Sequence, residues 1–171
     1  LTAEDEANIS ALVPEALAIM PELKSSGPAM IGSQFEPSVS MAGVPLDYDE
    51  AFGEFYDWDS GEVLDISSYL VDNASVLLSS SLAEDMDINK SSELPIILTT
   101  EFIVKYEVII ENETITLSSE VRVNLTIREI YDSRRPGIGA SYRGLVFSLE
   151  DFQDWMSLKS PSRNKNIIGA Y

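Results

Sequence analysis

A chain of 171 residues with 44% hydrophobic content is long enough for one domain with a buried core, and no run of 18 apolar residues offers a membrane-spanning helix. Twenty-nine acids against 11 bases leave a formal charge of −18, which argues against a nucleic-acid partner because phosphates are repelled. Cysteine and histidine are both absent, which excludes a disulfide framework, thiol nucleophiles, Cys/His zinc sites and Ser-His triads.

Residues 1–23 read as a helical segment. Thr2 can cap it, Asp5 follows three residues on, and Glu4, Asp5 and Glu6 crowd the first turn. Ile9, Leu12, Val13, Ala16 and Met20 share one face, Pro14 kinks the helix or opens a second one, and Pro21 ends it. Residues 24–46 are rich in Gly, Pro and Ser and read as one long loop, with short extended pieces such as SQFEPSVSM inside it.

Residues 47–148 turn to strands. EFYDW and EVLDISSYLV flank DSG, a hairpin-like turn, and ASVLLSSSL fits a strand or a helix. AEDMDINKSSE is a polar loop. The strongest signal is a pair of long β-branched segments, LPIILTTEFIVKYEVIIE and TITLSSEVRVNLTIREIY, joined at Asn112-Glu113. In the second, Ile115, Leu117, Val121, Val123, Leu125 and Ile127 alternate with polar residues. That is the period of a strand with one buried and one wet face. Val104, Tyr106, Val108 and Ile110 are expected to face the core from the first. DSRRPGIGAS is a loop and YRGLVFS a further strand. Residues 149–171 form a short helix and a polar tail. Ser148 and Asp151 make a capping-box-like start, and Phe152 and Trp155 bury together. The expectation is a single, mostly β domain, an antiparallel β-sandwich with an N-terminal helix and a short C-terminal helix.

Five Asn-x-Ser/Thr triplets stand at Asn8, Asn73, Asn89, Asn112 and Asn124, none with Pro in the middle. The chain has seven Asn and 29 Ser plus Thr. Random placement puts roughly one Asn in such a triplet, so five point to N-linked glycans and an exported protein. Without Cys, an archaeal cell surface fits better than a eukaryotic secreted domain.

Residues 1–121 hold 24 acids and 3 bases, while residues 122–171 hold 5 acids and 8 bases. The basic end either folds back on its own acidic body or meets the acidic face of another copy. In the second case Arg134, Arg135 and Arg143 are the contacts, opposite the acids at 47–65. Asp57-x-Asp59-x-Gly61 resembles the start of a calcium loop, although Gly comes one position early and no Glu stands at position twelve. Trp58 and its neighbouring aromatics beside those acids suit a sugar face or a core. The reading is therefore a non-enzymatic, glycosylated subunit of an extracellular assembly, a filament, pilus or surface layer, built as a homo-oligomer or homopolymer through strand edges and charge. An extracellular calcium- or carbohydrate-binding module is the alternative. No cofactor other than Ca²⁺ is expected.

Overall fold

The computed structural model describes residues 8–9, 11–13, 22–48, 53–88, 95–110, 113–135 and 144–157. Its strands are β1 (Leu23–Ile31), β2 (Gln34–Val44), β3 (Phe55–Tyr56), β4 (Val63–Leu64), β5 (Ser75–Ser79), β6 (Ile96–Ile110), β7 (Glu113–Tyr131) and β8 (Gly144–Ser148). Among the described residues they are accompanied by the helices α1 (Ile66–Tyr69), α2 (Ser80–Asp85) and α3 (Leu149–Ser157).

The protein is mostly β, but the expected antiparallel sandwich is not what forms. Six strands close into a barrel in the order β1-β2-β8-β5-β7-β6, and β3 and β4 form a separate two-stranded sheet. Two joints of the ring are parallel, β2 with β8 from Ser40↔Gly144 to Val44↔Ser148, and β5 with β7 from Ser75↔Thr126 to Ser79↔Tyr131. Alternation along a strand reports that one face is buried. It does not report against what, and a closed sheet buries that face as well as a second sheet does. Of the expected N-terminal helix, one turn is described, with the Val13 N–H donating to the Ile9 carbonyl at 2.9 Å. The rest of that helix lies outside the described residues.

Residues 24–46 are not a loop but the β1–β2 hairpin, paired from Ile31↔Gln34 to Leu23↔Gly43. The residues that imitate a loop have local tasks here. Gly32 and Ser33 form the two-residue turn. Pro28 and Pro37 both fall in the irregularity between Gly27↔Val39 and Ala29↔Glu36, where a missing N–H costs no ladder bond.

The wall made by β2, β8, β5 and the end of β7 is buried on both faces. Val39, Met41, Val76, Leu78, Leu145 and Phe147 face the barrel interior, while Ala42, Val44, Leu77, Val146 and Tyr131 face outward into a second core. The β3–β4 sheet and α1 cover that outer side through Phe55, Leu64, Ile66 and Leu70. Every residue of β5 and β8 is buried in consequence. A bulge where Val76↔Ile127 is followed by Leu77↔Glu129 swaps the parity of β7, so Ile130 faces inward and Tyr131 outward.

The helices follow their caps. Ser79 caps α2 by accepting from the Leu82 N–H at 3.3 Å, so ASVLLSSSL is a strand that runs directly into a helix. The polar stretch after it opens as the end of α2 and buries Met86 and Ile88. Ser148 accepts from the Asp151 N–H at 3.3 Å and starts α3 as expected. Phe152 and Trp155 then enter the barrel core, with ring centroids 6.2 Å apart and edge-on contacts to Phe102 (5.5 Å) and Phe147 (5.4 Å) respectively. Such pairs add about 0.5–1.5 kcal/mol each beyond the area they bury.

Barrel closure depends on two close backbone approaches. A Cβ on Gly27 would collide with the Glu101 carbonyl oxygen, and one on Gly144 with the Ser40 carbonyl oxygen. Gly27→Ala and Gly144→Ala are each expected to destabilise the fold by about 1–3 kcal/mol, the usual cost of overpacking. Urea unfolding measures this, and an unchanged midpoint for either variant would remove that contact from the account of closure.

Candidate functional site

The longest continuous ladder among the described residues is the β6–β7 ribbon, which runs from Ile96↔Ile127 to Ile110↔Glu113, so Glu113, expected in the joint, already belongs to β7. At its base it belongs to the barrel. β1 pairs with β6 only at Ala29↔Thr100 and Met30↔Thr99, and β5 pairs with β7 only from Thr126 onward. Farther out, among the described residues, no third strand pairs with either edge. Ten residues of β6 lie beyond Thr100, roughly 30 Å of strand.

The inner face of the ribbon is mainly apolar, with Thr100 and Ser119 as its polar members among the described side chains. Phe102, Val104, Val121 and Leu125 are buried, but Leu117 and Ile115 are 41% and 39% exposed. The sequence period correctly placed Ile115 and Leu117 on the face of Leu125. It did not reveal that the strand outruns the core. The side chains of residues 106–110 lie outside the described residues. The outer face is polar, with Thr99, Glu101, Lys105, Glu120, Arg122 and Asn124, interrupted by exposed Ile97 and Ile103.

Where the bulge at Pro28 diverts β1 from β6, a groove of about 570 Å³ opens, lined by Lys24, Ser25, Gly27, Phe102, Ile103 and Lys105 among others. Glu101 and Glu120 also line it, so its walls mix charge and apolar surface.

The acidic stretch serves a structural purpose in its centre. Asp57 Oδ1 accepts from the Asp59 N–H (2.9 Å), the Ser60 N–H (2.7 Å) and the Ser60 hydroxyl (2.9 Å), which locks the turn between β3 and β4. Asp59 is exposed, and among the described residues no group of three or more acids converges to hold a metal ion. Phe55 is core, packed edge-on to Tyr131 at 5.3 Å, and Trp58 is half-buried against the barrel interior.

Arg134 and Arg135 are engaged within the chain. Arg134 lies over the Trp58 ring at 5.9 Å and reaches Glu84 (3.2 Å) and Asp132 (3.5 Å). Arg135 stacks over Tyr56 at 4.7 Å, donates to the Gly61 carbonyl at 3.1 Å and pairs with Asp132 at 3.4 Å. Arg122 pairs with Glu101, and Arg128 with Asp72 at 2.6 Å. These four residues fold back on the acidic body, while Arg143 lies outside the described residues. In each pair at least one side chain is well exposed, so solvent screens the attraction and the pairs orient loops more than they hold the fold.

Three of the five triplet asparagines are described. Asn8, Asn73 and Asn124 are all exposed, and Asn89 and Asn112 lie outside the described residues. Because β5 runs parallel to β7 with Ser75 opposite Thr126, the triplets Asn73-Ala74-Ser75 and Asn124-Leu125-Thr126 lie side by side in the same direction. The Thr126 N–H donates to the Ala74 carbonyl at 2.6 Å. Asp72 organises the junction. Its Oδ1 accepts from the Ser75 hydroxyl (2.7 Å) and the Ala74 N–H (3.1 Å), and its Oδ2 takes the Arg128 guanidinium. No local signal announces this adjacency, because it arises from a parallel pairing of segments about fifty residues apart.

No protein-family model matches the chain, and no curated protein does. Solved structures similar to it include a domain of a putative permease protein from Porphyromonas gingivalis, at 11% identity and a TM-score of 0.43. Another is the periplasmic region of MacB from Actinobacillus actinomycetemcomitans, at 16% identity and a TM-score of 0.46. The matches cover 85% and 99% of this chain, but only 54% and 60% of those chains. Among the described residues, no helix is long and apolar enough to cross a membrane.

The Ser75 hydroxyl first, then the Ala74 N–H and Arg128, hold the Asp72 carboxyl below the usual carboxylate range. A depressed folded-state pKa stabilises the fold fully above the unfolded value, near pH 4, and that contribution is lost as pH falls through the folded value. Asp72→Asn should therefore be less stable than the parent at pH 6, with the gap closing below pH 4. Urea midpoints across that range test it, and a gap independent of pH would show that the ionised carboxylate is not what counts.

Proposed function

We propose that the chain is a non-enzymatic structural domain of an extracellular assembly, glycosylated on asparagine, in which copies associate through the β6–β7 ribbon. The observation that carries the reading is the ribbon itself. Among the described residues no further strand pairs with either of its outer edges, and beyond Ser119 its inner face carries Leu117 and Ile115, both partly in solvent. Open edges recruit strands, and monomers that stay apart usually blunt them with charge, Pro or a covering element. Here β7 has no charged residue from Thr114 to Ser119, in a chain whose net charge is −18. A second copy offering the same uncharged edge escapes most of the repulsion that its acidic body would otherwise impose.

With Arg134 and Arg135 engaged internally, strand edges take the first place in association and charge complementarity the second. The five Asn triplets, the acidity and the lack of Cys support an exported setting, with an archaeal filament, pilus or surface layer as the best fit.

Light scattering and negative-stain microscopy of the chain at increasing concentration test association. Multimers are expected, and the double substitution Ile115→Asp and Leu117→Asp should weaken association at least tenfold. Both residues are half-exposed, so the fold should survive the change. A parent chain that stays monomeric at high concentration, or a double variant that assembles equally well, would refute the ribbon as the contact.

A further inference from the structure

We infer that sugar transfer to Asn73 and Asn124 is confined to the unfolded chain and that folding closes both sites to further reaction. The inference rests on the glycoprotein reading and adds when, and on what substrate, the modification occurs. The acceptor triplet admits Ser or Thr at its third position, and these share a hydroxyl, so the hydroxyl is what a transferase must read.

In the folded chain the Ser75 hydroxyl is not available. Ser75 is 2% exposed, and its Oγ donates to Asp72 at 2.7 Å and accepts from Arg128 Nε at 3.1 Å. The second triplet is closed differently. Leu125, its middle residue, is fully buried in the barrel core, and Thr126 is paired with Ile97 on one side and Ser75 on the other. Lifting Asn124 to Thr126 into an enzyme cleft would separate β7 from both neighbours and draw Leu125 into water. Neither triplet meets a transferase while the sheet is intact.

The product is nonetheless compatible with the fold. In the reaction Asn Nδ2 attacks the anomeric carbon of an oligosaccharide carried on a lipid pyrophosphate. The N–C bond forms, the C–O bond to the lipid pyrophosphate breaks, and Nδ2 gives up one proton. Asn73 and Asn124 both face solvent, and Asn124 Oδ1 accepts from the Thr99 hydroxyl at 2.8 Å while its Nδ2 is the atom that carries the sugar. The two sites lie side by side on β5 and β7, so a chain modified before folding carries both sugars over one seam of the barrel.

The test uses the full unglycosylated chain with an added C-terminal Asn-Ala-Thr tag as an acceptor exposed in every state. It is compared with the same chain carrying Leu78→Asp and Phe147→Asp, both fully buried core positions outside the triplets themselves. Loss of amide-exchange protection in that variant confirms that it is unfolded. Both are incubated with a purified single-subunit oligosaccharyltransferase and a lipid-pyrophosphate oligosaccharide, and site occupancy is read by peptide mass spectrometry. Equal tag occupancy is expected, with Asn73 and Asn124 modified at least tenfold less in the folded chain. Modification of either site in the folded chain as efficient as in the unfolded one would overturn the timing alone. A bare Asn73 and Asn124 in the unfolded variant, beside an occupied tag, would overturn the glycoprotein reading as well.

Discussion

β5 and β8 are five residues long and buried on both faces, and most of the fold is arranged around covering them. A strand that shows apolar side chains both ways cannot lie at the surface of a sandwich, where one face meets water. It needs a closed interior on one side and an added layer on the other. Here the interior holds Leu78, Phe147, Phe102 and the α3 aromatics, and the added layer brings Phe55, Leu64 and Ile66 against Leu77, Val146 and Tyr131. The segments that supply the cover, β3–β4 with α1 on the outside and α3 on the inside, are short. Their positions are set by caps and by single contacts such as the Asp57 turn rather than by long ladders of their own.

The same wall explains why the long strands end where they do. β6 and β7 are fastened where β1 and β5 reach them, and among the described residues no further strand pairs with them beyond, so the ribbon has a barrel base and an outer part whose described pairing is one ladder. The chain's charge layout agrees with this division. Arg122, Arg128, Arg134 and Arg135 all meet acids on or near the barrel body, leaving six consecutive residues of outer β7, Thr114 to Ser119, without charge. Neutralising the body internally and keeping the ribbon uncharged are complementary ways for a −18 chain to tolerate a neighbour.

Legibility in the sequence followed the range of each interaction. The alternation of β7, the cap at Ser148 and the Phe152–Trp155 contact are local, and the residues announce them within a few positions. The β1–β2 hairpin was hidden because Gly27, Pro28, Gly32 and Pro37 carry the chemistry of a loop while serving a close approach, a bulge and a turn. Barrel closure was hidden because its two parallel joints link distant segments, and periodicity has no term for pairing partners. Asp57 carries the spacing of a cation ligand and also organises a turn, for an equally physical reason. Carboxylates that organise turns and carboxylates that bind metals both favour Asp-x-Asp spacing, and only the direction of the neighbouring N–H groups separates them.

The adjacency of Asn73 and Asn124 shows the same limit from the functional side. Each triplet is readable alone, but their shared seam depends on the parallel β5–β7 joint and on Asp72, which holds Ser75 and Arg128 together. That joint also separates the two surfaces on which the proposed function rests. Sugars attached at Asn73 and Asn124 would stand at the base of the ribbon, on its polar outer face and beside the wall, where bulk is tolerated. The apolar inner face at Leu117 and Ile115 is the opposite face of the same two strands. A strand pair can therefore carry bulky hydrophilic groups on one side and a dry contact on the other, because successive side chains alternate between the faces. Glycosylation and association need not compete for surface even though β7 supplies both.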